Sequence, residues 1–285
     1  MRLNLYRDLL AVPTITGDEG RMVEFLTNHI RQRGVERCGQ VWSDRHNNVY
    51  VVKGNASYYP CLSAHIDTVH AVDRKVHIRR MDDVLFGVGT QGNQVGIGAD
   101  CKSGIMVCLE ALERLDSVAL ALFAGEEHGG QGANNSDPEF FRHMGYVLEF
   151  DCPARNLFSY TNSGVRLFQN DGRFIKRALP VLQNRSMLWQ AHPYTDVTFL
   201  RKRFPLSMMN LSSGYYNWHS NNEYARISDT THAIDLALEL VRALGDECYQ
   251  FPIHSRQHCK AQPLVEVGPL VVRDFVLESE MSFTT

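Results

Sequence analysis

Apolar residues along the chain repeat with two different periods, which predict both helices and strands. A capping-box spacing at 16–19 and a glycine at Gly34 bound the first clear helix. Its apolar face carries Met22, Val23, Leu26 and Ile30 at helical intervals. Further helices are predicted over 103–115 and from residue 228 to the residue before Gly245. Runs of apolar residues predict strands over 49–54, 61–66, 118–125, 146–151 and 205–211.

Strands and helices alternate along most of the chain, and this order predicts an α/β fold. The run VALALFAG at 118–125 has no polar position, as expected for a strand covered on both faces of a parallel sheet. We therefore expect a mixed, mostly parallel central sheet with helices on both faces. The prediction is a single α/β domain over residues 1–250, followed by a tail or edge strand over 251–285.

Composition and charge narrow the class of protein. The 285 residues are 44% hydrophobic and 21% charged, which is ordinary for a globular chain long enough to bury a core. The formal net charge of -3 is too balanced for a nucleic acid or an anionic membrane to be the expected partner. No apolar run approaches the roughly 18 residues of a membrane span. The seven cysteines form no CxxC pair and predict reduced thiols in a cytoplasmic protein.

Polar residues that can bind metals fall at the carboxyl ends of the predicted strands or just beyond them. These residues are His65, Asp67, Asp100, Glu126, Glu127, Asp151 and His219. In open α/β sheets this edge is where ligands bind. Each residue alone has an ordinary structural explanation, since an aspartate before a helix, for example, is most often an N-cap. Their convergence on one edge of the sheet is what predicts a site.

The residue types fit a metal centre. Zinc binds histidine nitrogens and carboxylate oxygens, and two histidines with three carboxylates suffice for two ions that share a bridging ligand. In the HxD pair, Asp67 can accept the second N–H of His65 and so orient its ring. Adjacent Glu126 and Glu127 point in different directions, so one can bind metal while the other handles a proton. Two such ions would polarise a carbonyl and supply a hydroxide near neutral pH, which predicts amide hydrolysis.

Five motifs, in order along the chain, resemble those of the co-catalytic zinc exopeptidases, which include aminoacylases, tripeptidase T and leucyl and glutamyl aminopeptidases. The motifs are HIDTV, GADCKSG, GEEHGGQGA, EFD and WHSNNE. The resemblance extends from about residue 8 to about residue 245 and implies a phosphorylase/hydrolase-like fold. It implies that His65 and Asp151 hold one ion and that Glu127 and His219 hold the other. Asp100 would bridge the two ions.

The same resemblance implies the remaining roles at the site. Glu126 would be the general base, and Asp67 would orient His65. The peptide bond from Asp100 to Cys101 would be cis. The implied cofactors are two divalent ions, with Zn²⁺ expected and Co²⁺ or Mn²⁺ as the alternatives.

The chain departs from the family pattern in two places. About 45 residues separate Asp151 from Asp196, too few for the lid or dimerisation domain that one branch of the superfamily inserts there. That lid often supplies an oxyanion-stabilising histidine, so Tyr215 and Tyr216 are our candidates for the missing donor. Without the lid, a monomer is the expected state. Cys101 stands where the family commonly has an acidic or small residue, and we interpret it as a buried thiol.

These observations predict a metal-dependent exopeptidase of aminopeptidase type, acting on a small peptide through a water bridged between two ions and deprotonated by Glu126. An N-acyl amino acid deacylase or a carboxypeptidase is the alternative within the enzyme class. An aminopeptidase needs an anchor for a free ammonium, for which Glu223 is the candidate. The alternatives need a cation for a carboxylate, and the candidates are Arg166, Arg173 and Arg201. A non-catalytic metal- or peptide-binding module is the alternative from a different class, although such a module would be expected to have lost Glu126 or a ligand.

Overall fold

The computed structural model describes residues 1–72 and 75–253. Within these residues the chain forms helices and strands in alternation. The helices are α1 (Leu3–Ala11), α2 (Gly20–Arg33), α3 (Val35–Cys38), α4 (Ala99–Arg114), α5 (Gln131–Asn134), α6 (Pro138–Phe141), α7 (Arg173–Asn184), α8 (Asp196–Arg203) and α9 (Ile227–Leu244). The strands are β1 (Gln40–Ser43), β2 (Val49–Lys53), β3 (Tyr59–His65), β4 (His77–Met81), β5 (Val84–Val88), β6 (Gln94–Val95), β7 (Val118–Phe123), β8 (Met144–Cys152), β9 (Leu157–Ser159), β10 (Thr161–Asn162), β11 (Val165–Arg166), β12 (Leu188–Trp189), β13 (Met208–Ser212), β14 (Tyr215–Tyr216) and β15 (Tyr224–Arg226).

Eight strands form the main sheet in the order β1-β2-β7-β3-β8-β13-β9-β12. The central strands β7, β3, β8 and β13 are parallel to one another, whereas β1 and β2 are antiparallel additions at one side. Every residue of β7 and β8 is buried. Because successive side chains of a strand point to opposite faces, both faces of these strands are covered. The predicted mixed, mostly parallel sheet is confirmed.

The predicted strands and helices all form. The helix that was expected after residue 19 is α2, and it ends at Gly34, whose positive φ of 84° suits a glycine. The predicted capping box is wrong, because Glu19 is the N-cap residue and makes no side-chain capping bond. The hydroxyl of Thr16 instead donates a hydrogen bond to the Asp67 carboxylate at 2.8 Å. The Thr16 hydroxyl therefore bonds to a residue that is distant in sequence and does not cap the helix.

A smaller antiparallel sheet has the strand order β14-β15-β5-β4, with β6 pairing with β5. It packs against α4 and α9. The loop between β14 and β15 contains His219, so this sheet carries one of the predicted ligands toward the main sheet. The chain between Asp151 and Asp196, which the sequence predicted to be too short for a lid domain, adds β9 and β12 to the main sheet and packs α7 against α9.

Several other predictions concern the chain as a whole. In the part of the chain that the structure describes, no helix is long and apolar enough to cross a membrane. The described cysteines are free thiols, as the reduced-thiol prediction expects: Cys38, Cys61, Cys101, Cys108, Cys152 and Cys248. Cys259 and the predicted tail from residue 254 onward lie outside the described residues and stay predictions.

Candidate metal centre

The predicted ligands meet at one end of the central parallel strands. His65 is the last residue of β3, Glu127 follows β7, and Asp151 lies near the end of β8. These three strands are neighbours in the sheet, so their carboxyl ends lie side by side. Asp100 enters from the start of α4, and His219 enters from the loop after β14. The structure therefore brings together all five residues that the sequence singled out as ligands.

The first set of donor atoms lies around His65. Its Nε2 is 3.2 Å from Oδ1 of Asp100 and 3.4 Å from Oδ1 of Asp151. Nitrogen and oxygen atoms of His65, Asp100 and Asp151, with the sulfur of Cys101, all lie within 4.8 Å of one another. The Cys101 thiol donates to the Phe150 carbonyl at 2.9 Å, and burial raises the pKa of this thiol well above its usual value. The thiol therefore stays protonated and is bonded to the backbone.

The second set of donor atoms lies around His219. Its Nε2 is 2.9 Å from Oε1 of Glu127 and 3.3 Å from Oδ2 of Asp100. Donor atoms of Asp100, Glu127 and His219 fall within 4.8 Å of one another. Asp100 thus presents one carboxylate oxygen to His65 and the other to His219. This is the geometry required of a ligand that bridges two ions.

The backbone at the start of α4 is shaped to place Asp100 between the two histidines. The Asp100–Cys101 peptide bond is cis, as the family resemblance implied. Four residues after Asp100, a Cβ at Gly104 would lie 2.1 Å from the Phe150 carbonyl oxygen. Only glycine allows so close an approach of α4 to β8. The glycine of the GADCKSG motif thus brings the bridging carboxylate over the end of the sheet.

Asp67 connects two parts of the site. The ring Nδ1 of His65 is 3.0 Å from the Asp67 backbone oxygen and 3.5 Å from the Asp67 carboxylate. The same carboxylate accepts the backbone N–H of Glu126 at 3.0 Å and that of Glu127 at 3.2 Å. Asp67 therefore lies against the unligated nitrogen of His65, mainly through its carbonyl. Its carboxylate holds the turn that carries both glutamates.

Glu126 differs from its neighbour Glu127 in its surroundings. It is buried, and its carboxylate makes no hydrogen bond to the residues that the structure describes. Burial raises the pKa of Glu126 well above its usual value, and the nearby charges of Asp151 and Asp196 raise it further. A carboxylate in this state attracts a proton strongly, as a general base near neutral pH must.

The histidines and carboxylates of the centre shift one another's pKa values in opposite directions. Burial raises the pKa of Asp151 to about 7. Burial also acts to raise the pKa of Asp100, but hydrogen bonds with His219 and His65 outweigh it and hold that pKa well below its usual value. Contacts with Asp100 and Glu127 raise the pKa of His219 to about 10. Strong perturbation of this kind is typical of functional sites.

A cavity of about 230 Å³ opens directly onto these residues. Its walls are formed by His65, Asp100, Glu126, Glu127, Asp151, Pro153, Gln190, Ala191, His192, Pro193, Tyr194, Thr195, Tyr215, Trp218 and His219. Six consecutive residues of this wall come from the segment 190–195, which follows β12. No arginine or lysine of the described chain lines the cavity.

The sequence did not single out His192, yet it lies in this wall. Its backbone is fixed, since its N–H donates to the Thr161 carbonyl and its carbonyl accepts from Ser163. The side-chain Nδ1 is buried and has no hydrogen-bond partner within the described residues. Burial lowers the pKa of His192, so the ring is neutral and keeps one N–H donor. No motif or spacing marks this residue, because β12 must first join the sheet to bring it here.

The three candidates for oxyanion or substrate contacts occupy different places. Tyr215 lines the cavity, and its hydroxyl donates to the Asp151 carbonyl at 3.3 Å. Tyr216 lies outside the cavity wall, with its hydroxyl donating to Asp229 at 2.6 Å. Glu223 is buried outside the wall as well. Its carboxylate accepts the backbone N–H groups of residues 97, 98 and 100 at 2.9, 2.7 and 3.1 Å. Glu223 therefore supports the loop before Asp100 and is not available to a substrate ammonium.

The three arginines considered as carboxylate anchors also lie outside the cavity wall. Arg173 pairs with Glu247. Arg201 donates to the backbone carbonyls of Phe204 and Pro252. Arg166 lies in the short strand β11. The structure thus does not bring any of these cations to the candidate ligands.

Comparisons with known proteins agree with this architecture. No protein-family model matches the chain. A probable carboxypeptidase from Aspergillus clavatus is 29% identical over 156 residues, which cover 49% of this chain and 37% of that protein. The match therefore spans little more than a third of the length of this relative.

Two solved structures share the fold over nearly their whole length. The aminopeptidase PepT of Bacillus cereus superposes with a TM-score of 0.72 and 13% identity, covering 85% of this chain and 97% of that one. A tripeptidase of Staphylococcus aureus superposes with a TM-score of 0.71 and 14% identity, again covering 85% and 97% of the two chains. The chain therefore has the fold of these two peptidases.

Proposed function

We propose that this protein hydrolyses the terminal amide bond of short peptides as a metal-dependent exopeptidase of aminopeptidase type. The observation that carries the proposal is the position of Asp100, whose two carboxylate oxygens face His65 and His219 separately. Asp151 completes the first donor set and Glu127 completes the second. Such a division is expected of two ions with one bridging carboxylate.

The donors fit two divalent cations. Each set offers one imidazole nitrogen and carboxylate oxygens, which are the ligands of catalytic zinc, and Co²⁺ or Mn²⁺ accept the same atoms. Buried carboxylates are stable only when opposite charge balances them, and three carboxylates with Glu126 outnumber the two imidazoles. When bound, the ions would polarise the scissile carbonyl and lower the pKa of a water at the site.

Glu126 is the residue proposed to move the proton. Its carboxylate faces the cavity without a hydrogen-bond partner among the described residues, so it can accept a proton from the attacking water. It then passes that proton to the nitrogen that leaves when the amide C–N bond breaks. Asp67 keeps this glutamate in place by accepting its backbone N–H at 3.0 Å.

His192 is proposed to donate a hydrogen bond to the carbonyl oxygen as negative charge develops on it. Its neutral ring has an N–H that can donate to this oxygen. Because His192 lies in the cavity wall, the donor does not have to come from a lid domain. Tyr215 is less suited to this role because its hydroxyl proton already bonds to the Asp151 carbonyl. Tyr216 is committed to Asp229.

The residues that line the cavity favour recognition of the amino end of a substrate over its carboxyl end. A deacylase or a carboxypeptidase needs a cation for the substrate carboxylate, and within the described residues no arginine or lysine lines the wall. The name of the Aspergillus clavatus relative favours the carboxypeptidase alternative, so a substrate panel must include both ends.

Replacement of the two adjacent glutamates gives a matched test. Glu126→Gln should leave two metal ions per chain and an unchanged unfolding curve, while turnover of an amino-acid amide falls by about 10³-fold. Glu127→Gln should lose metal as well as activity, because it removes a ligand. Elemental analysis measures the metal content of each variant, and turnover is measured on amino-acid amides and on N-acetyl amino acids. Full activity in Glu126→Gln would remove this residue as the base.

A further inference from the structure

Two large aromatic side chains are exposed at the mouth of the cavity. Tyr194 is 41% exposed and Trp218 is 42% exposed, and both line the wall that contains the candidate ligands. The other large apolar side chains with comparable exposure in the described chain are scattered, and none of them lines this cavity: Val35, Tyr58, Val69, Met81, Leu188 and Ile253. Exposed apolar surface that gathers at a cavity marks a binding surface more often than scattered exposure does.

Both rings are held in place by neighbours. Tyr194 packs edge-on against Phe199, with ring centroids 5.7 Å apart. Trp218 packs edge-on against Tyr215 at 6.2 Å. The residues on either side of Trp218, Asn217 and His219, have positive φ angles of 52° and 59°. Asn and His adopt this left-handed conformation more often than most non-glycine residues, and here it turns the backbone sharply on both sides of Trp218. The loop is therefore wound so that Trp218 stands beside the ligand His219.

Three small apolar residues, Pro153, Ala191 and Pro193, also line the cavity. Apart from the candidate ligands, Glu126 and His192, the polar side chains of the wall are the uncharged Gln190, Thr195 and Tyr215. The cavity volume of 230 Å³ lies below the roughly 300–1,000 Å³ of pockets for drug-sized ligands. It suits one or two amino-acid residues of a substrate.

We infer that Tyr194 and Trp218 form the walls of a subsite for an apolar side chain next to the scissile amide. The preferred substrates are short peptides or amides whose first residue is leucine-like or aromatic. Aromatic faces bury apolar side chains and stack against other rings, whereas a charged side chain would lose its hydration against them. This inference rests on the proposed function, since it concerns the substrate of the same site.

The test uses the zinc-loaded protein and a panel of L-amino-acid amides with Leu, Phe, Ala, Lys and Glu side chains. We expect kcat/KM for the Leu and Phe amides to exceed that for the Ala amide by about 10- to 100-fold. Trp218→Ala and Tyr194→Ala should each lower kcat/KM for the Leu and Phe amides by about 10-fold more than they lower it for the Ala amide. The control is Tyr58→Ala, because Tyr58 is 41% exposed but lies outside the cavity.

The outcomes separate this inference from the proposed function. If the zinc-loaded protein hydrolyses none of the amides, the proposed function fails. If it hydrolyses them without a preference for Leu and Phe, or prefers Lys through contact of a cation with the rings, only the subsite inference is overturned. Equal losses on every amide in both variants would also overturn it. Trp218 is next to the candidate ligand His219, so the metal content of each variant is measured. If Trp218→Ala loses metal, the kinetics of Tyr194→Ala decide whether the subsite exists.

Discussion

Carboxylates have opposite surroundings at two places in this protein. In α4, Glu113 contacts three arginines from the first part of the chain, Arg2, Arg33 and Arg37, at 2.7, 2.5 and 2.5 Å. Burial acts to raise the pKa of Glu113, but these arginines outweigh it and hold the pKa at about 2. At the candidate metal centre, burial raises the pKa of Asp151 to about 7, and the basic side chain that contacts it is the imidazole of His65.

The difference indicates what each region is for. Where a carboxylate only has to be stable, the fold supplies arginines, and Glu110 in the same helix has Arg2 and Arg114 beside it. At the end of the central strands the fold gathers carboxylates and supplies two imidazoles. Burial of unbalanced charge is expensive, so the missing positive charge is expected to come from bound cations.

Metal removal should have the largest effect. A chelator should abolish hydrolysis, and readdition of zinc should restore it. The candidate ligands come together only in the folded chain, so zinc at about 100 times its dissociation constant should raise the free energy of unfolding by about 2.7 kcal/mol. Denaturant unfolding with and without zinc measures this. The control variant Glu113→Gln should show the same zinc-dependent increase in the free energy of unfolding as the unmodified protein. An unfolding curve of the unmodified protein that zinc does not change would contradict the expectation that bound cations balance the buried carboxylates.

His192→Ala is expected to have the next largest effect. Loss of a donor to the developing oxyanion should lower kcat by about 10²-fold, with little change in KM. His192→Gln keeps an N–H donor and should recover part of the loss. Steady-state kinetics with metal analysis provide the measurement. If zinc is lost together with activity, His192 is a ligand and the proposed role is wrong.

Thr16→Val should have a smaller effect on the same site. The Thr16 hydroxyl donates to Asp67, which in turn holds His65 and the turn of the two glutamates. Loss of such support for a ligand typically costs about 10-fold in metal affinity or activity. The matched control is Thr27→Val, since the Thr27 hydroxyl bonds only to carbonyls of its own helix. Equal zinc affinity in Thr16→Val and Thr27→Val would show that the Thr16 hydroxyl does not hold Asp67 in place for metal binding.

Glu113→Gln should alter stability and leave catalysis unchanged. The folded-state pKa of about 2 lies below the unfolded value of about 4.3, so the carboxylate stabilises the fold above pH 4.3. This stabilisation is lost as the pH falls from about 4.3 toward 2. Arg37 is 61% exposed, and solvent screening limits the expected loss in the variant to about 1 kcal/mol at pH 7. Unfolding curves of the two proteins should converge near pH 2, and a difference that persists there would refute the assignment.

The amino-acid sequence by itself predicted the local features of this protein, which are its main strands and helices and the candidate ligands. Apolar periodicity located the central strands and the helices α2, α4 and α9, because burial on a sheet or helix face leaves a regular pattern. The motifs located five candidate ligands, since ligand type and strand-end position are both visible in a sequence. The capping box at Thr16 failed because Asp67, a partner 51 residues away, took its hydroxyl.

Contacts between distant segments decided the rest. The sequence offered Glu223 as an ammonium anchor, but only the folded chain shows that its carboxylate bonds to backbone groups 123 to 126 residues away. His192 entered the cavity because β12 pairs with β9. Which oxygen of Asp100 faces which histidine likewise depends on how α4, β3 and the loop after β14 pack. Residue types and periods are local properties that a sequence records directly, whereas distances and charge balance arise when remote segments meet.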